Sequence, residues 1–127
     1  MKTRLATTLA LLVLIPVGLG AGKQREQTSR AFTSFWAEFK AAVAKNDRAA
    51  VASMTKLPFY FDEKELSRAE FIKSYNRIFD QKAKRCFARE KPLKEKDGSY
   101  EVFCGPKIYA FDLVEGKYRF IEIGAND

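Results

Sequence analysis

FWAEFKAAVAKNDRAAVASMTKLPF, residues 35–59, contains the pattern of a long amphipathic helix that breaks and continues into a second, shorter one. The apolar side chains of the first helix recur at helical spacing, and most are aromatic: Phe32, Phe35, Trp36, Phe39 and Val43. This spacing predicts a helix over about residues 29–45 with its aromatic face in the core. The other interpretation is that some of these rings line a ligand pocket.

The residues after the aromatic helix predict a turn, a short helix and an extended segment. Asn46 and Asp47 break the helical pattern, and Asp47 is the predicted N-cap of a helix over RAAVASMT, residues 48–55. Pro58 ends that helix. PFYF, residues 58–61, predicts a short strand or an extended crossing.

The second half of the chain predicts one more helix and then strands. Ser67 and Glu70 form the capping-box pattern at the start of a predicted helix over about residues 68–81. Alternating apolar residues and turn signals predict strands at 85–91, 99–105, 107–114 and 117–123. Glu115-Gly116 is a predicted two-residue hairpin turn. The order predicts an α+β fold, with N-terminal helices packed on a curved antiparallel sheet.

This pattern resembles the nuclear transport factor 2-like, cystatin-like family. The residues that carry the resemblance are packing positions of the first two helices: Phe35, Trp36, Phe39, Ala42, Asn46, Asp47, Val51 and Pro58. SRAEFIKSYNRIF (67–79) and the closing YRFIEIG (118–124) also occupy the expected places. The resemblance implies a single domain over residues 23–127, shaped as a cone whose mouth can hold a small molecule.

The cone implied by the resemblance directs attention to five residues. Trp36, Tyr60 and Tyr109 are candidates for lining a ligand pocket. Asp112 and Glu122 are weak candidates for the catalytic carboxylate that isomerases of this family place among apolar side chains. The alternative is that each acid lies at a sheet edge or pairs with a nearby Arg or Lys. The chain has no histidine, which excludes histidine-based acid–base catalysis and histidine-containing triads.

MKTRLATTLALLVLIPVGLGAG, residues 1–22, has the three-part layout of a signal peptide. Lys2 and Arg4 form the basic end, an apolar stretch follows, and small residues come after Pro16. A membrane anchor is the alternative, but the apolar stretch from Leu5 to Leu19 is short against the roughly 20 residues that a spanning helix needs. We therefore expect a periplasmic or secreted protein with no transmembrane segment after cleavage.

Cys86 and Cys104 are the two cysteines of the chain. An oxidising compartment favours a structural disulfide between them, and the alternatives are two buried thiols or redox or metal chemistry. Two candidate ligands and no histidine are too few for an ordinary zinc site, so we expect no metal and no cofactor. Paired strands that place Cys86 opposite Cys104 would allow the bridge.

The formal net charge of the full chain is +7, and Lys82, Lys84, Arg85 and Arg89 form its densest basic cluster. Acidic residues are interspersed and no nucleic-acid motif is present, so we expect no nucleic-acid partner. The cluster is either a solvated rim or a contact for an anionic lipid or acidic protein.

The sequence favours an exported, non-catalytic binding module for a small molecule or an envelope protein, and a homodimer is possible. Two alternatives stay open. One is an inhibitor or accessory protein that acts through its surface. The other is a small isomerase- or dehydratase-type enzyme with a buried carboxylate in the cone.

The first prediction concerns processing. We expect the mature chain to begin between Ala21 and Lys23, because the small residues that follow the apolar stretch suit a signal peptidase. The intact mass of protein recovered from the cell envelope tests this. A mass that retains residues 1–20 would contradict the prediction.

Overall fold

The computed structural model describes Val13 and residues 20–127, and its helices precede an antiparallel sheet in an α+β fold. Within that part, the helices are α1 (Gly20–Ala44), α2 (Arg48–Ser53), α3 (Arg68–Lys73), α4 (Tyr75–Ile78) and α5 (Gln81–Arg89). The strands are β1 (Phe59–Phe61), β2 (Lys64–Leu66), β3 (Leu93–Lys94), β4 (Tyr100–Cys104), β5 (Lys107–Val114) and β6 (Lys117–Ala125). The predicted signal peptide, residues 1–22, lies outside the described residues apart from Val13 and residues 20–22.

The capping residues of two short helices act as the sequence predicts. The Asp47 carboxylate accepts a hydrogen bond of 3.2 Å from the backbone N–H of Ala50 at the start of α2. Ser67 and Glu70 exchange side-chain-to-backbone hydrogen bonds of 3.3 Å each at the start of α3, which completes the capping box. These bonds satisfy backbone groups that a helix leaves unpaired at its first turn.

Phe39 of α1 is fully buried at the centre of the core. Its ring centroid lies between 5.1 and 6.2 Å from four others: Phe79, Phe87, Phe111 and Phe120. These rings come from the segment between α4 and α5, from α5 itself, and from β5 and β6. The aromatic face of α1 therefore joins the helices to the sheet, with Phe35 and Trp36 half-buried beside it.

The larger sheet is a meander with the strand order β3-β4-β5-β6. Glu115 and Gly116 form the predicted turn between β5 and β6, with φ values of 51° and 78°. Both values are positive, as a two-residue turn matched to strand twist requires. The N–H of Lys56 donates to the carbonyl of Phe120, and the N–H of Phe120 donates to that of Met54, each at 2.8 Å. The segment after α2 thus covers part of the outer edge of β6.

The prediction of a strand at residues 85–91 is wrong, because residues 85–89 belong to helix α5 and residues 90–91 to neither a helix nor a strand. The predicted helix over residues 68–81 is divided into α3, α4 and the first residue of α5. Asp80 starts α5 by accepting a 2.9 Å hydrogen bond from the N–H of Ala83. Ala83, Cys86 and Phe87 then point into the core at helical spacing. The predicted strand pairing of Cys86 with Cys104 is wrong for the same reason.

The second prediction concerns the core. Phe39→Ala should lower the free energy of unfolding by about 3–5 kcal/mol, because it leaves a cavity among four rings. Chemical denaturation measures this change. Tyr60→Ala is the control, since Tyr60 is 64% exposed and its loss should cost within about 0.5 kcal/mol. Equal costs for the two variants would contradict the central position of Phe39.

Candidate functional site

The three aromatic candidates for a ligand pocket lie in different environments. Trp36 is half-buried and packs against Phe87, with their ring centroids 5.5 Å apart. Tyr109 is fully buried with its ring centroid 4.9 Å from that of Phe87, and its hydroxyl donates to the carbonyl of Ile78 at 3.0 Å. Burial also raises the pKa of the Tyr109 hydroxyl. Tyr60 is exposed on β1, so the three rings do not enclose one pocket.

The two acidic candidates lie on the sheet face that points away from the helices. Asp112 is half-exposed and pairs in register with Arg119, and Glu122 is exposed opposite Ala110. Strict alternation along β6 would place Glu122 on one face with Tyr118 and Phe120, among apolar side chains, but the structure does not. A bulge at Ala110/Phe111 adds one residue to β6 and reverses its alternation beyond Phe120. Ile123 therefore packs against the core in place of Glu122.

A groove of about 410 Å³ lies where α5 meets the turn between β4 and β5. Three cations of α5 line one side of it: Lys82, Arg85 and Arg89. Glu90, directly after the helix, also lines the groove. The rest of the lining is mostly apolar: Cys86, Phe103, Cys104, Gly105 and Pro106. We call this site the disulfide groove. Its cations are spaced three and four residues apart, which places them on one side of the helix.

The disulfide between Cys86 and Cys104 holds the two walls of the groove together, with the Cα atoms 5.7 Å apart. The predicted bridge is therefore confirmed, although it joins a helix to a strand. β3 pairs with Tyr100 and Glu101, so the rest of β4 is left without a strand on that side. α5 contacts β4 there, and the bridge fixes this contact.

Hydrogen bonding at the start of α5 anchors the helix that forms one wall of the groove. The N–H of Ala83 bonds the Asp80 carboxylate, and this bond is the main reason that the pKa of Asp80 is lowered. Lys107 of β5 lies 3.7 Å from the other carboxylate oxygen and lowers the pKa further. Asp80 therefore ties the first turn of α5 to the sheet and remains ionised at neutral pH.

In the described part of the chain, no carboxylate lies within 4.0 Å of the cations of the disulfide groove, although Glu90 also lines it. Across the described part of the chain, the ion pairs within 4.0 Å are Arg30–Glu26, Arg77–Asp62 and Lys107–Asp80. Lys82, Arg85 and Arg89 are all exposed and take part in none of them. A smaller cavity of about 160 Å³ adjoins the groove and shares Lys82, Cys104 and Pro106 with it. The arrangement can attract and hold an anion.

The sequence contained a signal for this groove that the strand prediction concealed. The sequence predicts a basic cluster that includes Lys82, Arg85 and Arg89. A helix over these residues would also have placed Cys86 between the cations, and a strand does not. Among residues 20–127, no group of three or more potential metal ligands comes together. None of the helices described there is both long enough and apolar enough to cross a bilayer.

Comparison of the chain with models of protein families, with characterised proteins and with solved structures finds no match.

The third prediction concerns the bridge. Replacing Cys86 and Cys104 with Ser should lower the free energy of unfolding by about 3 kcal/mol, because the bridge restricts the unfolded chain. Denaturation with and without reductant measures this. Reductant should destabilise the natural chain and leave the double variant unchanged, which serves as the control. Two reactive thiols in the unfolded, unreduced protein would contradict the bridge.

Proposed function

We propose that the protein is an exported, non-catalytic binding module of nuclear transport factor 2-like architecture, and that the disulfide groove binds a small anionic ligand. The observation that carries this proposal is the set of three cations without carboxylate partners beside an apolar floor. If these cations formed only a solvated charged surface, they would need no apolar groove beside them.

The dimensions and the lining of the groove define the class of ligand. Small-molecule sites usually have volumes of about 300–1,000 Å³, and the groove falls within that range. The forked guanidinium groups of Arg85 and Arg89 suit a carboxylate or a phosphate. Phe103 and Pro106 suit an apolar body attached to that group. A small amphiphilic anion satisfies both surfaces.

Export is supported by two independent features. Residues 1–22 have the signal-peptide layout, and Cys86 and Cys104 form a disulfide of the kind that persists in oxidising compartments. We therefore place the mature protein in the periplasm or outside the cell.

The alternative of an enzyme with a carboxylate in an apolar cone has less support. Asp112 and Glu122 lie on the sheet face that points away from the helices. The hydroxyl of Tyr109 is used within the core by the carbonyl of Ile78. A surface-acting accessory protein would use the same cations to bind an acidic protein. The experiment below separates that role from the binding of a small anion.

The fourth prediction concerns ligand binding. Titration with sodium octanoate, followed by NMR, should give saturable shifts in α5 and at residues 103–106. Acetate should bind more weakly because it lacks an apolar body. Arg85→Gln should weaken octanoate binding about tenfold, as expected when a charge-assisted hydrogen bond is lost.

The matched control is Arg25→Gln, which removes one exposed cation from α1 and should leave octanoate binding unchanged. Equal weakening by both variants would show a general effect of net charge and contradict the groove. No saturable shift with octanoate, together with binding of an acidic polypeptide, would favour the accessory-protein alternative.

A further inference from the structure

A second pocket lies on the other side of α5 and has a different chemistry. Its volume is about 470 Å³, and it opens between the turn that joins α1 to α2, helix α4 and the start of α5. Polar side chains dominate its lining: Asn46, Arg48, Asn76, Phe79, Asp80, Gln81 and Lys84. Phe79 is fully buried, and the other six lining residues all carry a polar or charged group that a ligand can reach.

Two cations of this pocket are held over the same aromatic ring. The guanidinium carbon of Arg48 and the ammonium nitrogen of Lys84 each lie 5.6 Å from the ring centroid of Tyr75. Tyr75 is fully buried, and its hydroxyl donates to the carbonyl of Val43 at 3.3 Å. Because the ring is fixed in the core, its attraction for both cations limits their movement. Both positive charges are therefore held near this ring, and both residues line the pocket.

The charge of this pair is available to a ligand. In the described part of the chain, neither Arg48 nor Lys84 has a carboxylate within 4.0 Å. The Asp80 carboxylate lines the pocket, but it is already bonded to Ala83 and faces Lys107. A ligand carboxylate would therefore be attracted by two cations, Arg48 and Lys84. It would be repelled by one carboxylate, that of Asp80, whose charge is already offset by Ala83 and Lys107.

Three primary amides complete the lining, from Asn46, Asn76 and Gln81. Within residues 20–127 their side chains make no hydrogen bond to another protein group, so their donors and acceptors are free for a ligand. A primary amide both donates and accepts, which matches the hydroxyl groups of a sugar. An inorganic phosphate carries only one or two hydroxyl groups at neutral pH, whereas a sugar acid offers several to the three amides.

We infer that this pocket binds a small hydroxylated carboxylate of the sugar-acid class. The forked guanidinium of Arg48 receives the carboxylate, and Lys84 adds a second charge. The amides of Asn76 and Gln81 bond the hydroxyl groups. This site shares no residue with the disulfide groove, so the inference stands independently of the proposed function.

Titration of ¹⁵N-labelled full-length protein with sodium D-glucuronate tests the inference. The side-chain NH2 resonances of Asn76 and Gln81 should shift and saturate, together with the backbone of residues 46–48. D-glucose tests the need for the carboxylate, and acetate tests the need for the hydroxyl groups. Both should bind at least about tenfold more weakly than glucuronate, since each lacks one set of hydrogen-bonding groups.

Two variants test the pocket from within. Arg48→Gln should weaken glucuronate binding about tenfold by removing the guanidinium fork. Asn76→Asp places a negative charge at an exposed position of α4 and should weaken binding by repulsion of the carboxylate. Lys45→Gln is the matched control: it removes one exposed charge beside the pocket and should leave binding unchanged.

Four outcomes would overturn the inference. The first is the absence of saturable shifts at Asn76 and Gln81. The second is equal binding of acetate or glucose. The third is equal weakening by Lys45→Gln and Arg48→Gln in variants whose spectra show the native fold. Shifts confined to α5 beyond Arg85 and to residues 103–106 would assign glucuronate to the disulfide groove and likewise overturn it.

Discussion

The packing of Phe39 against the sheet is the interaction on which the other elements depend. Its contacts with Phe111 and Phe120 hold α1 across β5 and β6, and its contacts with Phe79 and Phe87 hold the start and the middle of α5. α5 in turn forms one wall of both pockets. The polar sites at the surface are therefore positioned by an aromatic cluster that contains none of their charged groups.

The two sides of α5 show how one short helix can serve two chemistries. Its inward residues Ala83, Cys86 and Phe87 leave the intervening positions free to carry charge. Arg85 and Arg89 face an apolar floor made by the disulfide and the turn after β4. Lys84 faces amides and the buried ring of Tyr75. Cationic side chains on the two sides of α5 therefore favour different ligands, because the surfaces opposite them differ.

Several elements could be predicted from the sequence because a local signal specifies them. α2 has its cap at Asp47, β5 is a short run of mostly apolar residues over 107–114, and the hairpin after it has Glu115-Gly116. α5 was missed because RCFARE is short enough to fit both a strand and a helical period. The cap at Asp80 was the local signal that favoured a helix.

The orientation of Glu122 could not be predicted, because it depends on a bulge across two strands rather than on β6 alone. The candidate sites share this limitation. The cations of the disulfide groove were visible as a cluster, but their apolar floor comes from residues on another element. The second pocket joins Arg48 to Lys84 through the ring of Tyr75, and no spacing along the chain indicates that they meet.

The aromatic cluster also sets the order in which the chain can acquire its structure during synthesis. Phe39 lies near the start of the described chain, and its partner Phe120 lies in the last strand. The core therefore cannot close on a ribosome-bound chain until β6 has left the exit tunnel. Until then the nascent chain lacks the contacts that close its core, and an open chain can still be threaded through a narrow channel. The long-range contact that stabilises the finished fold thus also delays it.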